Sequence, residues 1–169
     1  MKKQIITDRL RQPSGVFSHA TVIEAKGRLV FISGMIARRA DGTIAGVGDI
    51  EAQTRQVCEN VKAAVEAAGG TLDDVCRVDV YVRNMEHFDT IHKVRREYFK
   101  PPLPASTMVE VTKMTHPDYL IEMNAIAVLP GGGLRPPSGA RRSPEARSSL
   151  PPPRTGLRGR SPRSNQLPA

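Results

Sequence analysis

Val78-Asp79-Val80-Tyr81-Val82 alternates apolar and polar residues without a break. That pattern marks a strand with one buried face, and its three valines are expected in the core. A helical pattern lies on either side. Upstream, Asp49 is placed to cap a long helix, with Glu51 in the first turn, where the macrodipole favours a carboxylate. Ile50, Val57, Val61, Val65 and Ala68 form the apolar stripe of that helix, and Gly69-Gly70 stops it. Downstream, Phe88, Ile91, Val94 and Tyr98 share one side of a second helix, ended by Pro101-Pro102.

Further out, residues 18–24 and 28–33 read as two strands around a turn at Lys26-Gly27. A polar loop follows at residues 38–43, with a turn signal at Asp41-Gly42. Met108-Val109-Glu110-Val111 and residues 119–128 supply the last strands. The order strand, strand, helix, strand, helix, strand, strand predicts an α+β domain with two helices on one face of a mixed sheet. The other face must then be polar or covered by a second subunit, which favours an oligomer.

The chain has 169 residues and a formal charge of +8. The charge is not spread evenly. Residues 131–169 hold 8 Arg, no Lys and a single acid, Glu145, so this stretch carries +7 and residues 1–130 only +1. The basic pI therefore describes the tail rather than the domain. The tail also contains 8 of the 14 prolines, six glycines, six serines and no aromatic residue. It cannot bury enough apolar surface to offset its ordering entropy, and disorder is expected from residue 131 onward. Its arginines, which show no RGG, RS or heptad order, suit either a basic anchor for RNA or acidic partners or an extension without function. The domain is expected over residues 1–130. No apolar run is long enough to span a membrane, and the N-terminal lysines precede no apolar signal core. Two cysteines without metal-type spacing argue against a disulfide framework and fit a cytoplasmic protein.

The sequence contains no phosphate-binding glycine loop, zinc-protease helix motif, nucleophile elbow or CxxC pair. His19, His87, His92 and His116 are scattered and read as surface or packing residues; Cys58 and Cys76 read as small buried hydrophobes. No cofactor or metal is implied. One ionisable residue is out of place. Glu122 sits within Leu120-Ile121-Glu122-Met123-Asn124-Ala125-Ile126-Ala127-Val128, and by period two shares a face with Leu120, Asn124 and Ile126. A carboxylate there must be paired, reach a cleft, or have its pKa raised by desolvation. The last would suit a general acid or base; a buried ion pair with a core arginine, or an exposed strand face, fits the same sequence.

Phe31-Ile32-Ser33-Gly34-Met35-Ile36, Gln53-Thr54-Arg55-Gln56-Val57-Cys58-Glu59-Asn60-Val61, Pro104-Ala105-Ser106-Thr107-Met108-Val109-Glu110-Val111 and Leu120-Ile121-Glu122-Met123-Asn124-Ala125-Ile126-Ala127 together resemble the reactive intermediate deaminase (Rid, or YjgF) family. The resemblance spans roughly residues 13–130 and implies a chorismate-mutase-like α+β fold. It further implies a homotrimer with small-molecule sites in clefts between subunits. The activity implied is hydrolysis of small enamines or imines to a carbonyl compound and ammonia, without metal or cofactor. Glu122 matches the glutamate that orients the attacking water, and Ser33 and Gly34 match the strand end that lines the pocket. Phe17 stands where typical members have tyrosine, and Met108 where many have cysteine. Ser106 stands where typical imine deaminases have the arginine that clamps a substrate carboxylate, and a hydroxyl does not replace a guanidinium fork. Losing such a bond costs about 2 to 5 kcal/mol.

The resemblance thus leaves three readings. One is a deaminase of altered substrate, with Ser106 and Thr107 offering hydroxyls, Phe17 packing from across the interface, and Arg38-Arg39 as the replacement anchor. The loop at residues 37–43 looks like that of the 2-aminomuconate deaminase branch, although a solvated turn also fits it. The second is a non-catalytic binder of small metabolites. The third, an endoribonuclease or translation inhibitor, is opposed by the near-neutral domain and by Ser106, leaving nucleic acid only the basic tail.

Overall fold

The computed structural model describes residues 2–13, 15–23 and 26–131. Apart from Gly131, the tail expected to be disordered lies outside the described residues. In chain order the elements are β1 Lys2–Ile5, β2 Ala20–Ile23, β3 Gly27–Ile36, α1 Ile50–Ala67, β4 Val75–Val82, α2 Phe88–Tyr98, β5 Ala105–Glu110 and β6 Ile121–Pro130.

Local chemistry sets the helix limits. Asp49 is extended and its carboxylate accepts the Ala52 N–H at 3.0 Å, satisfying one of the amides left free at the start of α1. At the other end Gly69 turns into the left-handed region with φ +87°. The Asp49→Ala variant is expected to lose about 1 kcal/mol of stability, read as a lower midpoint in urea denaturation.

Four strands form one sheet in the order β3-β6-β4-β5. The pairs β3–β6 and β6–β4 are antiparallel and β4–β5 is parallel, with α2 in the crossover that a parallel pair requires. This is the expected mixed sheet with two helices on one face. Val78, Val80 and Val82 of β4 and Ile121, Met123, Ala125, Ala127 and Leu129 of β6 meet Val57, Cys58, Val61 and Val65 of α1 and Ile91 of α2 in a single core. Burial holds the Cys58 thiol up at about 12, so it is packing material.

The N-terminal strands depart from expectation. The strand expected over residues 18–24 does not pair with the strand that follows it. Instead β2 pairs antiparallel with β1, a strand not foreseen, in a separate two-stranded sheet with Lys2 opposite Ile23 and Ile5 opposite Ala20. β1 takes one edge of β2, so the ribbon forms without β3. Side chains pin this ribbon to the domain: Gln4 accepts the Leu103 N–H, Thr21 accepts the Ala105 N–H, and the Lys2 ammonium donates to the Val75 carbonyl.

Among the described residues no helix covers the second face of the four-stranded sheet. Leu29, Phe31 and Val109 are 57, 71 and 40% exposed there. An open apolar face of this kind is the usual mark of an association surface.

Candidate functional site

The β3–β6 ladder slips between Ile32, opposite Ala125, and Met35, opposite Met123. One extra residue is accommodated at Ser33-Gly34, a bulge of the kind that re-aims side chains beside functional sites. Glu122 lies over the bulge. A β-carbon on Gly34 would fall 1.8 Å from Glu122 Oε1, so glycine makes room for the carboxylate. Glu122 is half-buried on the open face of the sheet. No ion pair among the described residues involves it, which removes the buried ion pair from the choices left by the sequence. Glu122 lines a pocket of about 230 Å³ with Tyr81, Val111, Lys113, Met114 and Thr115. Two residues along, Asn124 shares the face, and its Oδ1 is buried without a partner among the described residues.

The Gly34→Ala variant tests this contact. The atom in the way is the far end of a flexible side chain, so the melting temperature is expected to stay within the range of ordinary surface substitutions. Any activity that depends on the carboxylate should fall at least tenfold, because an ångström of misplacement is enough. Unchanged turnover would mean that the position of Glu122 is immaterial.

Ser106 belongs to a different cluster. It is opposite Val78 in the parallel ladder and faces the helices, where it accepts a hydrogen bond from Arg95 Nη2 at 3.0 Å. Arg95 Nη2 also lies 3.3 Å from the Val16 carbonyl, while the Val16 N–H donates to His92 Nδ1 at 3.0 Å. Phe17 thus sits in a backbone stretch tied to α2 on one side and, through the bond from the Ser18 amide to the Pro104 carbonyl, to the start of β5 on the other. Met108, on the same face as Ser106, packs against the core. Thr107 faces the opposite way, and its hydroxyl accepts from Arg77. The two adjacent hydroxyls therefore point to opposite faces of the sheet.

The paired arginines also divide. Arg38 donates to the hydroxyl of buried Tyr119 at 2.7 Å, and Asn60 holds the Arg38 carbonyl. Arg39 stays on the solvent-facing turn, bonded to Thr43. Glu122 and Ser106 do not share one pocket either. They lie on opposite faces, two strands apart and three residues out of register, which is roughly 10 Å in each direction.

Sequence reasoning missed the pocket walls Tyr81, Lys113 and Thr115, and although it allowed His92 a packing role it did not place His92 and Arg95 together on the buried side of α2. Spacing could have found the last two, since Phe88 and His92, and Ile91 and Arg95, are i, i+4 pairs. Burial first, and then Arg95 and Arg96, pull the His92 pKa down to about 4. The unfolded chain therefore takes up a proton near pH 6.5 that the native chain refuses. Stability should fall as pH drops from about 6.5 toward 4. Asparagine at 92 offers an acceptor for Val16 without titrating, and His92→Asn should lessen that slope in melts at pH 7 and 5.

Among the described residues no helix is long and apolar enough to cross a membrane, and no three His, Cys, Asp or Glu side chains are grouped to hold a metal ion. The profile of the family described as endoribonuclease L-PSP matches residues 7–129. A RutC family protein of Pyrococcus horikoshii is 43% identical over 127 residues, covering 75% of this chain and 98% of the relative. A Dermatophagoides farinae protein named 2-iminobutanoate/2-iminopropanoate deaminase is 32% identical over 128 residues, covering 76% and 97%. Among solved structures, a Rid-family protein of unknown function from Yersinia pestis superposes with a TM-score of 0.70 at 32% identity, over 76% of this chain and 98% of its own.

Proposed function

Since the chain belongs to the Rid/YjgF family, described as endoribonuclease L-PSP, we propose that it hydrolyses a small enamine or imine to a carbonyl compound and ammonia. The observation that carries this reading is Glu122: a carboxylate without an ion-pair partner among the described residues, seated over a glycine bulge and lining a pocket sized for a few-carbon molecule. The 2-iminobutanoate/2-iminopropanoate deaminase name of one relative supports the same reaction class.

In this mechanism the enamine first tautomerises to the imine by protonation at carbon. Glu122 accepts a hydrogen bond from a water molecule and aims its oxygen at the C=N carbon. The C–O bond forms as the C=N electron pair moves to nitrogen, which takes a proton. The resulting carbinolamine expels ammonia, and its hydroxyl proton leaves as the C=O bond forms. Glu122 begins and ends as a carboxylate, and no redox change occurs.

The substrate occupies a cleft between copies of the chain, in a homotrimer. Support comes from the separation of Glu122 and Ser106, which no few-carbon ligand can bridge within one protomer, and from the uncovered Leu29–Phe31 face. Ring contact from Phe17 and backbone contact from Ser33 and Gly34 complete the pocket. Ser106, which offers a weaker contact than an arginine, favours a second reading in which the clefts bind metabolites without turning them over. Ammonia released from enamines made in situ by an amino-acid dehydratase distinguishes the two. Release above the uncatalysed rate supports hydrolysis, whereas a ligand-dependent rise in melting temperature without release supports binding alone.

A further inference from the structure

Arg95 is 0% exposed and is the largest fully buried side chain among the described residues. No carboxylate among the described residues faces it. Besides Ser106 Oγ and the Val16 carbonyl, its surroundings are Phe99, whose ring centroid lies 5.8 Å from the guanidinium carbon, His92, whose Nδ1 is an acceptor and which is neutral at pH 7, and the Cys58 thiol, which burial keeps protonated. Nε and Nη1 are buried with no partner among the described residues. Burial draws the pKa only to about 10, so the side chain remains a cation at neutral pH. A buried charge without a counter-ion is one of the costliest arrangements in a core, and a hydrophobic residue of similar volume would ordinarily be more stable there.

One route leads from this charge to the surface. Arg95 Nη2–H donates to Ser106 Oγ, so the Ser106 hydroxyl is an acceptor on its inner side and keeps its own proton for an outer partner. Ser106 is only half-buried, whereas Arg95 is sealed. Polarised by the cation, the hydroxyl becomes a stronger donor, and the weakly screened charge behind it favours an anion over a neutral acceptor.

We propose that Arg95, acting through the Ser106 hydroxyl, is the anion-recognition unit of this protein, and that its ligand is the carboxylate of a small 2-imino or 2-oxo acid. The inference rests on the preceding reading for the acid's identity and adds the group that selects it. Arg95 is a positioning residue: it orients and polarises Ser106 and does not itself touch the ligand. Neither Arg38, bonded to Tyr119, nor Arg39, on the outer turn, is required for this role.

The test is titration calorimetry on the full chain with pyruvate and with its uncharged counterpart pyruvamide. Wild type should bind pyruvate at least tenfold more tightly. The Arg95→Met variant should lose about 10- to 100-fold in pyruvate affinity, the range of a charge-assisted hydrogen bond, with little change for pyruvamide. Its melting temperature should hold or rise, because an unpaired charge has gone. Ser106→Ala, which leaves the core cation in place, should show the same loss for pyruvate. Equal affinities of wild type for the two probes would overturn the proposal, as would pyruvate affinity untouched by Ser106→Ala, and the latter decides the matter if Arg95→Met fails to fold. Selective, Arg95-dependent pyruvate binding by a protein that releases no ammonia would remove the hydrolytic reading and leave this one standing. Turnover of imino acids with a KM indifferent to both substitutions would do the reverse.

Discussion

The Glu122→Gln variant should release ammonia from an in situ enamine about 100- to 10,000-fold more slowly than wild type, the range over which a positioned acid–base group contributes. Glutamine keeps the shape of the side chain and its place above Gly34, but its neutral amide is a poor acceptor for the proton of the attacking water. No ion pair among the described residues is broken by the change. The melting temperature should therefore stay near that of wild type, which separates a chemical effect from a folding one. A variant as fast as wild type would leave the carboxylate without a role in the reaction.

The second large effect is expected at Phe31, 71% exposed beside Leu29 on the uncovered sheet face. Burying a phenylalanine against another subunit contributes roughly 2 to 3 kcal/mol, and a carboxylate forced into the same contact costs several more. In sedimentation, Phe31→Glu should run as a single chain of 18.5 kDa, while wild type runs as a multiple of it. Activity should fall with the assembly, because Glu122 and Ser106 of one protomer are too far apart to share a ligand. Wild type found only as a single chain would remove the inter-subunit site.

Much of the scaffold was legible from local chemistry. Asp49, the valine stripe and Gly69 delimit α1 because capping and periodicity act over a few residues, and the alternation in β4 reports a one-sided burial that the structure retains. The β1–β2 ribbon was not legible. Lys2-Lys3-Gln4-Ile5 has little strand character of its own, and its partner lies about twenty residues away, so only tertiary contact selects it over the turn at Lys26-Gly27. The site divides in the same way. Glu122 stood out as a charge in an apolar run. Arg95 did not, since a basic residue on a helix is normally solvated, and only the meeting of α2 with β5 and Val16 shows that this one is enclosed.

The ten-residue strand β3 has β6 on one side, and among the described residues nothing on the other. For a newly synthesised chain this is a hazard as well as a scaffold. A long row of unclaimed amides and carbonyls beside exposed leucine and phenylalanine is a template that foreign strands can extend. The kink at Ser33-Gly34 interrupts that template partway along, so the irregularity that makes room for an acid also shortens the stretch open to misjoining. Selection against clumping and selection for activity would then act on the same two residues, and straightening the strand would forfeit both.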